Sequence, residues 1–320
     1  MKNILNITNG DNAVELMCKA QLPGDYLPWR DVLHEGPVPG DLTLDELSVI
    51  RSKYIVEKGW GEPDVIIESF SARDKQLKGC HQYHKVILWF EHDLYDQLQI
   101  LQILDWFYLH PDEVVNLSMV CVDQYLGRQS PETIKQLITF EQPVSQQQLA
   151  LANQAWTAFC SSTPEHWYGL LNKDTSALTF LDGAITRLLE EYPSMSTGLS
   201  RTAEQSLIII SEGEISPGKL FGRYMATEER QFLGDLSFWG ILQSLLDGNL
   251  ITLEVANGEP NQLPCGRNSQ LSITTLGIDV LSGEQKSFGH APLDRWIGGV
   301  YLTKENLWCW DADSHTIIKQ

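Results

Sequence analysis

The run Val86-Ile87-Leu88-Trp89-Phe90 constrains this chain most, because five successive apolar residues leave no polar face to turn toward water. A strand of that kind belongs at the centre of a parallel sheet with helices on both sides. The flanking sequence fits that demand. Asn3 to Thr8 alternates and stops at Asn9-Gly10, after which Ala13, Leu16, Met17 and Ala20 recur at helical spacing over residues 12–20. Residues 25–29 read as a short second strand, 43–59 and 94–109 as helices, and 114–122 as a further strand. Ser130 as cap with Pro131 in the first helical position starts another helix. The fold class expected is α/β, a Rossmann-like, mostly parallel sheet domain over residues 1–140.

Three of these strands run into acid: Thr8 into Asn9-Gly10-Asp11, Phe90 into Glu91-His92-Asp93, and Val122 into Asp123. Open α/β sheets bind ligands at the carboxyl ends of their strands, so this edge is where chemistry is expected. Asp11, His34, His92 and Asp93 are the catalytic candidates. A histidine between two acids gains proton affinity, which suits a general acid or base, and His34 titrates near neutrality. Asn9, Gly10, Trp29, Arg30, Asp31, Glu91, Asp96, Asp123 and Arg128 are the substrate-binding candidates. Gly10 admits a ligand close to the backbone at a helix start, and Arg30 and Arg128 are forks for a phosphate or carboxylate. Trp29, Arg30, Asp31 and His34 open a loop that Gly36-Pro37-Val38-Pro39-Gly40 keeps irregular. Several candidates also have a plainer reading: Asp11 and Asp93 as helix caps, Arg30 with Asp31 as a surface pair, His34 and Arg128 as solvated side chains.

No metal site is assigned. Cys80 with His81 and His84 lacks a second ligand cluster, and a polar loop is the simpler reading. The acids of this edge, Asp11, Glu91, Asp93 and Asp123, are alternatively candidates to position substrate or a magnesium ion held through water. The six cysteines are scattered without close pairs, the pattern of reduced thiols. No apolar stretch is long enough to span a bilayer, and residues 1–10 lack the basic region and apolar run of a secretion signal, so a cytoplasmic protein is expected.

At 320 residues the chain is long enough for two domains. The glutamine-rich stretch from Gln142 to Gln154 carries Leu149, Leu151, Ala152, Ala155 and Trp156 on a helical pattern, and residues 141–196 are expected as a helical connector. In 197–320, helices over 201–211, 217–225 and 235–247 precede strands at 250–255 and 271–275 and a helix at 276–282. Three helices and a hairpin make a winged-helix order. The third helix has no Lys or Arg, and Ser200 to Glu284 holds five basic and eleven acidic residues. With a net charge of -19 for the chain, a duplex is repelled, and DNA is not an expected partner. The aromatic-rich tail, 294–302 with 307–311, is expected to form one hairpin.

These residues also resemble a known family. Asn9-Gly10-Asp11, Trp29-Arg30-Asp31-Val32-Leu33-His34-Glu35-Gly36-Pro37 and Leu88-Trp89-Phe90-Glu91-His92-Asp93 with Asp96-Gln97 are similar to the bacterial family domain of unknown function 1835. Gly198-Leu199-Ser200-Arg201, Leu233-Gly234-Asp235 with Trp239, and Asp294-Arg295-Trp296-Ile297-Gly298-Gly299-Val300 look like its usual carboxyl-terminal extension. The resemblance implies a bacterial source and supplies no established activity. Asn6 departs from it, standing where many relatives have histidine, and receives no role.

Two functions follow. The first is an enzyme binding a nucleotide or other phosphorylated small molecule, with Arg30 and Arg128 on the anion and a histidine moving a proton. The second is a noncatalytic ligand-sensing regulator whose winged helix binds a protein partner or a second copy.

Overall fold

The computed structural model describes residues 2–113, 116–255, 263–264, 269–290 and 293–320. Val114, Val115, Cys265 and most of the residues between the strands expected at 250–255 and 271–275 lie outside the described residues. The chain forms two compact units, Met1–Ile185 with Gly298–Val300, and Thr186–Ile297 with Tyr301–Gln320. Of the connector expected over 141–196, residues up to 185 fall in the first unit and the remainder in the second.

The first unit begins β1 (Lys2–Thr8), α1 (Asp11–Lys19), β2 (Asp25–Pro28), α2 (Leu44–Glu57), α3 (Pro63–Lys78), β3 (Tyr83–Phe90) and α4 (Leu94–Leu109). It continues with β4 (Leu117–Cys121), α5 (Pro131–Leu137), β5 (Gln142–Pro143), α6 (Gln146–Phe159), α7 (Glu165–Tyr168) and α8 (Leu181–Leu189), within which the division between units falls. The strands order as β2-β1-β3-β4-β5, parallel except for β5. This is the Rossmann-like sheet anticipated. The apolar run sits in β3, at the middle of the sheet. Ile87 and Trp89 pack on one face with Ala13 and Met17 of α1, Ala20 just after it, and Ile134 and Leu137 of α5. Val86, Leu88 and Phe90 alternate onto the other face, where α4 packs on β3 and α6 on α4.

Local signals set the helix ends. Thr43 forms a reciprocal capping box with Glu46 at the start of α2, and Ser145 does the same with Gln148 at α6, which therefore begins after Gln142. Ser130 caps α5 as anticipated, accepting from the Thr133 amide. Helix α3 and the edge strand β5 were not anticipated. Pro63 in the first turn starts α3, whose buried face carries Phe70, Arg73, Asp74 and Leu77. Two charged residues on that face hide its amphipathic period.

The second unit contains α9 (Arg201–Ser211), α10 (Pro217–Met225), α11 (Asp235–Asp247), β6 (Ile251–Glu254), β7 (Gln270–Ile273) and α12 (Thr275–Leu281). Strands β6 and β7 pair antiparallel, giving the winged-helix-like order. Ser216 stands at the start of α10 without a side-chain capping bond. The aromatic tail departs from expectation. Instead of one hairpin it makes two small sheets, β8 (Arg295–Ile297) with β9 (Val300–Leu302), and β10 (Trp308–Asp311) with β11 (Thr316–Lys319). Asp311-Ala312-Asp313-Ser314 supplies the second turn, with Asp311 accepting from the Asp313 amide and the Ser314 hydroxyl, and this ties β10 to the chain that follows it. No described helix is long and apolar enough to cross a membrane.

Candidate functional site

The strand order reverses between β1 and β3: the chain leaves β1 for β2 on one side and resumes at β3 on the other. Such a switch point opens a crevice beyond the strand ends, because the connections on either side lead away in opposite directions. Register fixes what meets there. Ile7 pairs with Leu88 and Thr8 with both Trp89 and Pro28, while Phe90 pairs with Cys121. Continued by one residue, that register carries Asn9 opposite Phe90 and Glu91 opposite Val122 at the sheet edge.

Four of the anticipated residues gather at this point. Asn9 Nδ2 donates to Glu91 Oε1 at 3.0 Å and to Asp96 Oδ2 at 2.9 Å. The Glu91 amide donates to Asp96 Oδ1 at 2.8 Å, and the Leu126 amide to Glu91 Oε1 at 2.7 Å. Asp93 caps α4 by accepting from the Asp96 amide at 3.2 Å. Carboxylate oxygens of Glu91, Asp93 and Asp96 lie within 4.8 Å of one another, and all three residues are buried. Like charges this close, taken out of water, resist joint ionisation. Burial and then the Glu91 charge push the Asp93 carboxyl up to about 7. Burial likewise raises Glu91, and raises Asp96 well above the usual range. Protons are therefore held on this trio at neutral pH, and it is the group able to hold a hard divalent cation when they leave. Among the described residues, no such group of three includes Cys80, His81 or His84; residues 80–82 form a short 3-10 turn.

Asp11 and Arg30 are engaged with each other. Arg30 Nε and Nη2 fork onto the Asp11 carboxylate at 2.8 and 2.6 Å, and Nη1 reaches Ser69 Oγ at 3.2 Å. The pairing holds the Asp11 carboxyl below its ordinary range. Asp11 is thus not the cap of α1. Gly10 occupies that position, without a side-chain bond and with open space where a Cβ would stand. Asp123 and Arg128 are exposed, Arg128 lying 4.4 Å over the Tyr125 ring.

Trp29 and Asp31 face inward and hold the loop. Trp29 Nε1 donates to Gln102 Oε1 at 2.8 Å under the Arg73 guanidinium, 4.2 Å from the ring. Asp31, fully buried, pairs with Arg51 at 2.9 Å and Arg73 at 3.8 Å. Both side chains are buried, with Trp29 Nε1 and Asp31 Oδ1 bonded inside the protein. His34 is buried against Tyr95, ring centroids 6.1 Å apart, with Nε2 3.8 Å from Glu35 Oε1. His92 packs against Tyr125 and Phe180, at 5.1 and 5.9 Å. The two histidines therefore pack against different aromatic rings. Asn6 is structural, accepting from Trp89 Nε1 at 3.0 Å and donating to the Pro23 carbonyl at 3.1 Å.

Tyr95 and Cys121 were given no site role from the sequence, and Gln97 was noted there only beside Asp96. Tyr95 stands between Asp93 and Asp96 in the chain and reaches His34 and Gln99. Gln97 Nε2 donates to the Glu91 carbonyl at 2.6 Å and contacts Cys121 Sγ at 3.6 Å, fixing the β3 end. Burial pushes the Cys121 thiol up to about 12, so it stays protonated and is no nucleophile at neutral pH. The available signal was the run of glutamines, 97, 99 and 102, in a helix otherwise apolar enough to be buried all round. No protein-family model matches this chain, and no curated protein is significantly similar to it.

Proposed function

We propose that the first unit is a cytoplasmic enzyme acting on a phosphorylated small molecule, nucleotides among them, bound at the β1/β3 crevice. The observation that carries the reading is the meeting of Asn9, Glu91, Asp93 and Asp96 at the switch point, beside the start of α1 at Gly10. The amides that open α1 and the space above Gly10 suit an anionic group. The trio supplies a proton donor matched to neutral pH, because one of its carboxyls titrates near 7. Arg128 over Tyr125 is the cation left for the ligand, while Arg30 serves it only by leaving Asp11. A divalent cation on the trio is the alternative way for the acids to meet a phosphate.

A thermal-shift screen of the full chain tests this reading with nucleotides and sugar phosphates, each with and without magnesium. A compound held at 100 times its Kd is expected to stabilise the fold by about 2.7 kcal/mol. In Asp93→Asn the shift survives while turnover of that compound is lost. If no phosphorylated compound moves the melting temperature in either condition, the reading fails.

A further inference from the structure

The turn after β4 brings a second kind of chemistry to the crevice, a wall of aromatic rings. Tyr125 and Phe180 are half-buried, and both pack on the buried His92, with ring centroids 5.1 and 5.9 Å from it. The turn that carries Tyr125 is firmly held. Leu126, fully buried among residues of α1 and α5, sends its amide to Glu91 Oε1 at 2.7 Å, and Gln129 Nε2 donates to the Tyr125 carbonyl at 3.0 Å. A Cβ at Gly127 would stand 3.3 Å from that of Asn12, in the first turn of α1. The neighbours of Tyr125 in the chain thereby touch both Glu91 and the opening of α1, the two places that the phosphate reading uses.

The face of Tyr125 already accommodates a flat group. The Arg128 guanidinium lies over it, 4.4 Å from the ring centroid, and Arg128 is exposed, so that place opens to water. An exposed cation over tyrosine is weakly held. A nucleobase stacked on an aromatic ring is held more strongly, and every base has a π-face to offer. When Arg128 turns to a phosphate it uncovers the face that a base can take, so one side-chain movement serves both ends of a nucleotide. A sugar phosphate has no ring to use it. The net charge of -19 disfavours a polynucleotide.

We propose that Tyr125 is the stacking platform for the base of a mononucleotide, which takes the place of the Arg128 guanidinium. This names the substrate class of the phosphate reading and rests on that reading for the ligand's other end.

Isothermal titration calorimetry of the full chain tests it with the four ribonucleoside 5′-monophosphates, the corresponding free nucleosides and ribose 5-phosphate. At least one nucleotide is expected to bind more tightly than ribose 5-phosphate. Tyr125→Leu is expected to weaken that nucleotide by about 5- to 140-fold, the range for loss of a stacked aromatic, and to leave ribose 5-phosphate unaffected. Arg128→Ala has the opposite sign for the matching free nucleoside, which gains about 2- to 5-fold because the ring is uncovered, and misfolding cannot produce a gain. Ribose 5-phosphate bound as tightly as every nucleotide, or nucleotide affinity unchanged in Tyr125→Leu, would overturn the platform and leave the phosphate reading standing. A nucleoside bound as tightly as its nucleotide, and lost in Tyr125→Leu, would keep the platform and refute the phosphate reading. Binding of none of these compounds overturns both.

Discussion

Asp93 combines two roles that the sequence offered as alternatives. Its Oδ1 caps α4, and its carboxyl is one of the buried trio, so the helix start that any Asp can stabilise is also what aims this one at Glu91 and Asp96. The consequence for pH follows from its position. Below the ordinary value of 3.8 both folded and unfolded chains carry the proton, and Asp93 contributes nothing. Between there and about 7 the folded chain keeps a proton that the unfolded chain has released, so stability falls as pH rises, with the loss complete above about 7. Asp93→Asn retains a capping oxygen and removes the charge. It is expected to be more stable than wild type at pH 8 by about 1–3 kcal/mol, taking 1.36 kcal/mol per pKa unit as the scale, and to flatten the decline between pH 5 and 8. Urea unfolding at both pH values checks this. A variant less stable at pH 8, with the decline intact, would refute the account of the trio.

At the scale of elements, the loop after β2 shows how a segment without regular structure is made rigid. Its glycines and prolines were legible as an interruption, and its His, Arg and acid content as a candidate site. What holds it was not legible, because Arg51 and Arg73 look like solvent-facing residues of helices. In the fold Arg51 is fully buried, donating to the carbonyls of Glu35 at 2.6 Å and Val32 at 2.8 Å as well as to Asp31. Such a hub orders the loop through its own fork of donors. Arg51→Met removes them and leaves Asp31 to Arg73 alone. The loss expected is about 3–5 kcal/mol, the usual range when one partner of a buried pair is deleted, read by denaturant midpoint. A loss under about 1 kcal/mol, the range of exposed ion pairs, would show that the loop is held some other way. Gly36, at φ +76° with the Tyr54 ring where a Cβ would stand, belongs to the same arrangement.

For the whole molecule, charge argues where fold does not. A winged-helix-like unit suggests DNA by architecture, but α11 carries no basic residue and the chain's net charge is -19. No retention on duplex DNA is expected even at about 50 mM salt, where counterion release favours binding most. Salt-dependent retention on a DNA column would reverse that conclusion. The sequence by itself determined the local pieces: the β3 run, the starts of α2, α5 and α9 at Thr43, Ser130 and Ser200, and the helices over 94–109, 201–211, 217–225 and 235–247. Those depend on periodicity and on side chains bonding backbone three residues away, which a linear reading can see. Only the tertiary structure decided which polar groups meet. Strand register brought Asn9 to Glu91 and Asp96, sent Asp11 to Arg30 rather than to a cap, and turned Trp29 and Asp31 inward, because partners scores of residues apart are chosen by packing and desolvation and leave no local mark.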